Sequence, residues 1–220
     1  MKKYRAVLFD MDGVIVDNHA YHQRAWVSFS QKHQLTLSEE EYRQHINGRT
    51  IGAAIEYVFR DQSLSAAEKA RLGDEKEVEY RAVYGPHLAP TSGLLPVLTQ
   101  LRAWDIPLAV ATSAPPENVR FTLDGLGIRD QFDSIIDGTG VTRGKPDPEI
   151  YLKSAEAVGV PPEDCLVLED AFSGIRAGQN AGAGVLALAT THTHEELAPL
   201  QPTGIITDFR EWVLEDWFDA

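Results

Sequence analysis

The chain has 220 residues, 43% hydrophobic and 24% charged, which suits a globular protein with one large domain or one domain carrying an insertion. A net charge of −13 without any clustered Lys/Arg tract excludes a nucleic-acid backbone as partner. The single Cys165 excludes an internal disulfide, and no run approaches the roughly 18 apolar residues of a membrane span.

The first apolar run, Ala6 to Phe9, stops at Asp10, too short for a signal-peptide core, so a soluble, cytoplasmic protein is expected. From about Asn18 to His87 no strand pattern occurs. Helix-like segments fill this stretch, among them HAYHQRAWVSFSQKH, SEEEYRQHI, IGAAIEYVFRDQ and SAAEKARLGDEKEVEYRAVY, the last opened by a capping box at Ser65. Tyr21, Ala25 and Phe29 form an i, i+4, i+8 stripe read as core packing. Such a long connection after a first strand predicts an inserted helical domain, and GPHLAP marks the return. Beyond it, apolar runs at 107–112, 134–137, 165–170, 184–189 and 204–207 alternate with helical patterns at 94–104 and 148–159. The C-terminal REWVLEDWF is expected to be a last helix packing Trp212 and Trp217 on the core. Strand–helix alternation predicts an α/β fold, a Rossmann-like parallel sheet with helices on both faces. The expected domains are a core of residues 1–17 and 88–220 and a helical cap of residues 18–87.

Ligands of such sheets bind beyond the carboxyl ends of the strands, and there the polar residues gather. The first strand delivers Asp10 and Asp12, the second Thr112 and Ser113, the loop RGKPDPE Lys145, and CLVLED Glu169 and Asp170. Four carboxylates cannot share a small volume uncompensated, and a hard divalent cation such as Mg²⁺ would compensate them. The cation and Lys145 would neutralise a phosphoryl group, and Thr112 would donate a hydrogen bond to it. Asp10 can attack phosphorus to form an aspartyl-phosphate. Asp12 can protonate the leaving oxygen and later deprotonate water.

FDMDGVIVD, ATSA, GKPDPEIY and VLEDAFSGIRAG resemble the four ordered motifs of the haloacid dehalogenase-like hydrolase superfamily. The chain is most similar to the helical-cap branch, which includes β-phosphoglucomutase and sugar-phosphate phosphatases. The resemblance implies Asp10 as nucleophile, Asp12 as acid/base, Thr112 as phosphate-binding hydroxyl and Lys145 as the cation steadying phosphate and Asp10. It implies Mg²⁺ held by Asp10, the main-chain carbonyl of Asp12 and Asp170, with Glu169 bound directly or through water.

Blander readings exist for each motif. A Ca²⁺ loop fails because Val14 and Val16 stand where oxygen ligands would be needed. Thr112 and Ser113 could cap a helix that begins at PPENV, and Glu169 and Asp170 the helix after VLED. His192 and His194 in THTHEE lack the spacing of a zinc site and read as a surface loop. In the cap, His22 occupies the place of a mutase histidine that helps control proton transfer, and NGRT at 47–50 looks like a specificity loop. Asn47 replaces a mutase lysine, and Ile51 falls where the mutase has an arginine, leaving Arg49 as that loop's cation. A mutase must hold a bisphosphate at both ends, so this loop favours hydrolysis of a monophosphate. The expected partner is a small phosphorylated metabolite, most plausibly a sugar phosphate, bound by His22, Asn47, Arg49 and Ser113, in a monomer or weak homodimer. The rivals are a β-phosphoglucomutase-type mutase, a dehalogenase, in which Asp12 would be idle, and a non-catalytic phosphate-binding protein.

Overall fold

In the computed structural model, which describes residues 3–46, 50–61 and 63–219, the first apolar run is β1, Ala6–Phe9, all four residues buried. A helical stretch follows, comprising α1 (His19–Lys32), α2 (Glu39–Glu41) with a wider-pitched turn over Tyr42–Ile46, α3 (Ile51–Phe59) and α4 (Ala66–Tyr84). The chain then runs through α5 (Leu94–Ala103), β2 (Leu108–Ala111), α6 (Pro116–Gly125), β3 (Ser134–Ile136) and α7 (Glu149–Ala157). It ends with β4 (Cys165–Glu169), α8 (Phe172–Asn180), β5 (Gly184–Leu188), α9 (His194–Leu197) and β6 (Gly204–Ile206). It forms two compact units, Met1–Asp17 with Leu88–Ala220, and Asn18–His87.

The first unit is a six-stranded, all-parallel sheet in the order β3-β2-β1-β4-β5-β6. Alternation sorts its side chains. Ala6 and Leu8 of β1, with Cys165 and Val167 of β4, bury against Ile150, Tyr151 and Ala155 of α7 and Ile175 and Ala177 of α8. Phe9 has the opposite parity, meeting Phe132 edge-on at 5.7 Å and Phe209 at 6.4 Å. The chain leaves β1 toward β2 on one side and β4 toward β5 on the other. The carboxyl ends of β1 and β4 therefore flank the topological switch point, the crevice where parallel sheets bind ligands.

The C-terminal segment departs from the expected helix. It forms two 3₁₀ turns, Phe209–Glu211 and Leu214–Asp216, joined through Trp212 and Val213 in extended conformation. Both Trp212 and Trp217 are buried. Five residues apart they would point about 140° from each other on a helix, and the extended link lets both face the core.

The helical unit has its own core, built from Trp26 and Phe29 of α1, Tyr42 and Ile46, Ala54, Ile55 and Val58 of α3, and Leu72 of α4. Ser65 caps α4 in a reciprocal box with Glu68, an arrangement whose loss costs about 1 kcal/mol. Of the expected stripe, Ala25 and Phe29 are fully buried, and the half-buried Tyr21 lies against Tyr84 at 4.6 Å. No helix among the described residues is long and apolar enough to cross a membrane.

Candidate active site

Register brings the first carboxylates together. Phe9 of β1 pairs with Leu168 of β4, and the Asp10 N–H donates to the Leu168 carbonyl at 3.0 Å, extending the ladder by one residue. Asp10 shares the parity of Ala6 and Leu8, and Glu169 that of Cys165 and Val167, so both carboxylates emerge on the α7/α8 side. Asp170 follows, and the three form a buried cluster whose ligand oxygens lie within 4.8 Å of one another.

Lys145, from the loop before α7, enters this cluster. Its Nζ donates to Asp10 Oδ1 at 2.8 Å, to Glu169 Oε1 at 2.6 Å and to the Ala111 carbonyl at 3.2 Å. The loop is held by Glu149, whose carboxylate accepts from the main-chain N–H of Thr142 at 3.1 Å and of Arg143 at 2.9 Å. A bond from Lys153, then those from Thr142 and Arg143, lower the Glu149 carboxyl to about 2, so it remains an acceptor.

Glu169 is saturated. Oε1 accepts from Lys145 and from the Tyr151 hydroxyl at 2.7 Å, and Oε2 accepts from the N–H groups of Asp170 at 3.0 Å and Ala171 at 3.2 Å. Two bonds to each oxygen use its lone pairs. Gly174 makes room for it, because a Cβ there would fall 1.7 Å from Glu169 Oε1.

Asp12 opens a tight turn in which the Met11 carbonyl accepts from Ile15 N–H at 2.9 Å and the Gly13 N–H donates to Val16 O at 2.7 Å. Its carboxylate is outside the three-carboxylate cluster. Gly13 adopts φ +78°, and its bare Cα lies under Asp170, whose Oδ2 would sit 2.0 Å from an added Cβ. Thr112, buried just past β2, accepts the Ala114 N–H on Oγ1 at 3.1 Å, which leaves its own proton to donate elsewhere. Exposed Ser113 adjoins it. Neither caps α6, which starts at Pro116 after Pro115.

Charge is unbalanced here. Burial, helped by Glu169 and Asp12, pushes the Asp10 carboxyl up to about 7 despite Lys145. Burial, then Glu169 and Asp10, raise Asp170 well above the ordinary range. Burial opposes the Lys145 ammonium, but Asp10 and Glu169 hold it charged, well above its usual value. Three carboxylates against one ammonium leave a surplus of negative charge, and an all-oxygen donor set fits a hard divalent cation.

The family model for haloacid dehalogenase-like hydrolases matches residues 4–182. The chain belongs to the haloacid dehalogenase-like hydrolases. It is 31% identical over 199 residues to validoxylamine A 7'-phosphate phosphatase of Streptomyces hygroscopicus subsp. limoneus, covering 89% of this chain and 90% of that protein. It is 33% identical over 186 residues to β-phosphoglucomutase of Bacillus subtilis, covering 81% and 80%. The crystal structure of a family IA, variant 3 HAD hydrolase from Entamoeba histolytica superposes with a TM-score of 0.91 at 30% identity, covering 96% of each chain.

Of the residues singled out in this hydrolase's sequence, Asp10, Lys145, Glu169 and Asp170 converge, with Asp12, Thr112 and Ser113 on the adjoining strand-end loops. His22 lies in the helical unit. Its ring stacks on Tyr80 at 3.9 Å and its Nδ1 is 3.0 Å from Nζ of buried Lys76, which also donates to Glu77 at 2.9 Å. Burial, then Lys76 and His19, holds the His22 ring well below its usual pKa, so it stays neutral. Asn47 and Arg49 lie outside the described residues. Sequence reasoning missed Tyr151, Gly174 and two threonines after β5. Their signal was position alone, the third residue of a helix or two and three residues past a strand.

Proposed function

We propose that this chain is a Mg²⁺-dependent phosphatase of a small phosphorylated metabolite, a sugar phosphate, acting through phosphorylated Asp10. One observation carries the reading: Lys145 bonded to Asp10 and Glu169 inside a buried three-carboxylate cluster at the β1 and β4 ends. The names of similar proteins agree: validoxylamine A 7'-phosphate phosphatase, hexitol phosphatase A and β-phosphoglucomutase.

Asp10, Asp170 and the main-chain carbonyl of Asp12 would hold Mg²⁺, which when bound neutralises phosphoryl oxygens and keeps Asp10 ionised. Glu169, already saturated, fixes Lys145 and joins the ion only by giving up one of its bonds. Lys145 and the Thr112 hydroxyl bind the phosphoryl oxygens. An Asp10 oxygen attacks phosphorus, the bond to the leaving oxygen breaks, and that oxygen takes a proton from Asp12. In the second half, Asp12 accepts a proton from water as its oxygen attacks phosphorus. The bond to Asp10 then breaks and phosphate leaves. The helical unit of residues 18–87 is assigned the part of a cap that reads the leaving group through His22, Asn47 and Arg49, and Ser113 is assigned a substrate contact from the core.

A mutase is the second reading, favoured by the 33% identity to β-phosphoglucomutase. Both are tested by supplying β-glucose 1-phosphate with a trace of the 1,6-bisphosphate, beside a panel of phosphorylated metabolites, with and without Mg²⁺. The phosphatase reading expects Mg²⁺-dependent inorganic phosphate, abolished in Asp10→Asn. Glucose 6-phosphate without free phosphate would replace it by the mutase. Equal turnover by Asp10→Asn would overturn both.

A further inference from the structure

Two threonines in the loop after β5 reach Asp170 and the Gly13 turn beneath it, and the mechanism above does not use them. Glu169 of β4 pairs with Ala187 of β5, so the residues beyond Leu188 run beside those beyond Asp170. Thr190 Oγ1 donates to the Gly13 carbonyl at 2.5 Å, and Thr191 Oγ1 donates to Asp170 Oδ2. The Asp170 carboxylate is thus clasped between the bare Cα of Gly13 beneath it and a hydroxyl beside it. The same loop is anchored twice more. The His192 ring stacks on Phe172, two residues after Asp170, at 4.0 Å and 15°, and Thr193 caps α9 in a reciprocal box with Glu196.

A carboxylate turns readily about its last torsion, which is broad and two-fold. Glu169 Oε2 holds the Asp170 N–H and the bare Cα of Gly13 leaves the carboxylate room, but a directed bond is what fixes the plane of its two oxygens. We propose that Thr191 is a positioning residue that fixes the plane of the Asp170 carboxylate for the cation, while Thr190 holds the Gly13 turn against it. This gives the THTHEE segment, whose pattern suggests a plain surface loop, a part in the site through Thr191. The inference rests on the reading of Asp170 as a Mg²⁺ ligand.

Calorimetric titration of the metal-free full chain with MgCl₂ tests it, using wild type, Thr191→Val, Thr191→Ser and Asp170→Asn. Removing an outer partner of a metal ligand typically weakens metal binding about 10–100-fold, and Thr191→Val should fall in that range. Thr191→Ser, which keeps the hydroxyl, should stay within about threefold of wild type, and thermal melts without metal should show both variants folded. Wild-type Mg²⁺ affinity in Thr191→Val would overturn the inference and leave the metal reading standing. So would an equal loss in Thr191→Ser, which would assign the effect to the methyl group's packing. Asp170→Asn binding Mg²⁺ as wild type does would remove the metal reading itself, and the inference with it.

Discussion

Replacing Lys145 by methionine keeps the length of the side chain and removes its charge from between Asp10 and Glu169. The Lys145 side chain is 9% exposed and its partners 10% and 1%, so water cannot take the place of the lost ammonium. Stripping one partner from a buried ion pair costs about 3–5 kcal/mol, because the charges left behind stay desolvated. In a protein of this length each kcal/mol moves the melting temperature by roughly 2–4 °C, so the metal-free variant should melt roughly 6–20 °C below wild type. The loss should depend on pH. Asp10 titrates at about 7 with Lys145 in place, and Lys145 is what pulls it down, so the variant's Asp10 holds its proton to still higher pH. Between the unfolded carboxylate range and that raised value the native state binds a proton the unfolded chain has lost, so stability falls as pH rises. Calorimetric melts in chelator at about pH 5.5 and about pH 8.5 should show the larger deficit at the higher pH. A deficit below about 2 °C at pH 8.5, or a larger one at pH 5.5, would refute the pairing of Lys145 with buried, partly protonated carboxylates.

Gly174→Ala places a Cβ where the Glu169 carboxylate lies and should lower stability by about 1–3 kcal/mol in urea denaturation. Phosphatase turnover should fall with it, since Glu169 holds Lys145. Asp12→Asn should slow turnover about 10²–10⁴-fold in steady-state assays while leaving Mg²⁺ binding near wild type, as expected of a proton-transfer group outside the carboxylate cluster. Lys76→Met removes a positive neighbour of His22 but not its burial. The His22 ring should therefore titrate at higher pH than in wild type, followed by NMR of its Cε1 proton. Since the native ring stays neutral where an unfolded histidine takes a proton, the ring's own contribution to stability is lost as pH falls through about 6.5, opposite in sign to that of Asp10 over the same range.

The strand ends were legible because each carboxylate terminates a short apolar run, and parallel strands all end on one edge. Asp10, Glu169 and Asp170 meet for that reason. Lys145 was legible only through its neighbours, since nothing local distinguishes a loop lysine that turns inward from one in solvent. Tyr151 sits in a helix whose apolar stripe runs through Ile150 and Ala155, and its hydroxyl's destination depends on how α7 crosses β4. Thr190 and Thr191 depend on the register of β5 against β4, a long-range pairing that residue patterns do not encode. The C-terminal segment was misread because two tryptophans in a polar stretch suggest a helix stripe, although their spacing does not fit one face.

The account turns on phosphoryl transfer to Asp10. Rapid quenching of the enzyme during turnover of a phosphorylated substrate, followed by peptide mass spectrometry, tests this directly. The account predicts an acid-stable phosphoryl adduct on the peptide carrying Asp10, formed with Mg²⁺, lost in chelator and missing in Asp10→Asn. Steady phosphate release with no adduct at Asp10 at any quench time, or an adduct on another residue, would contradict it.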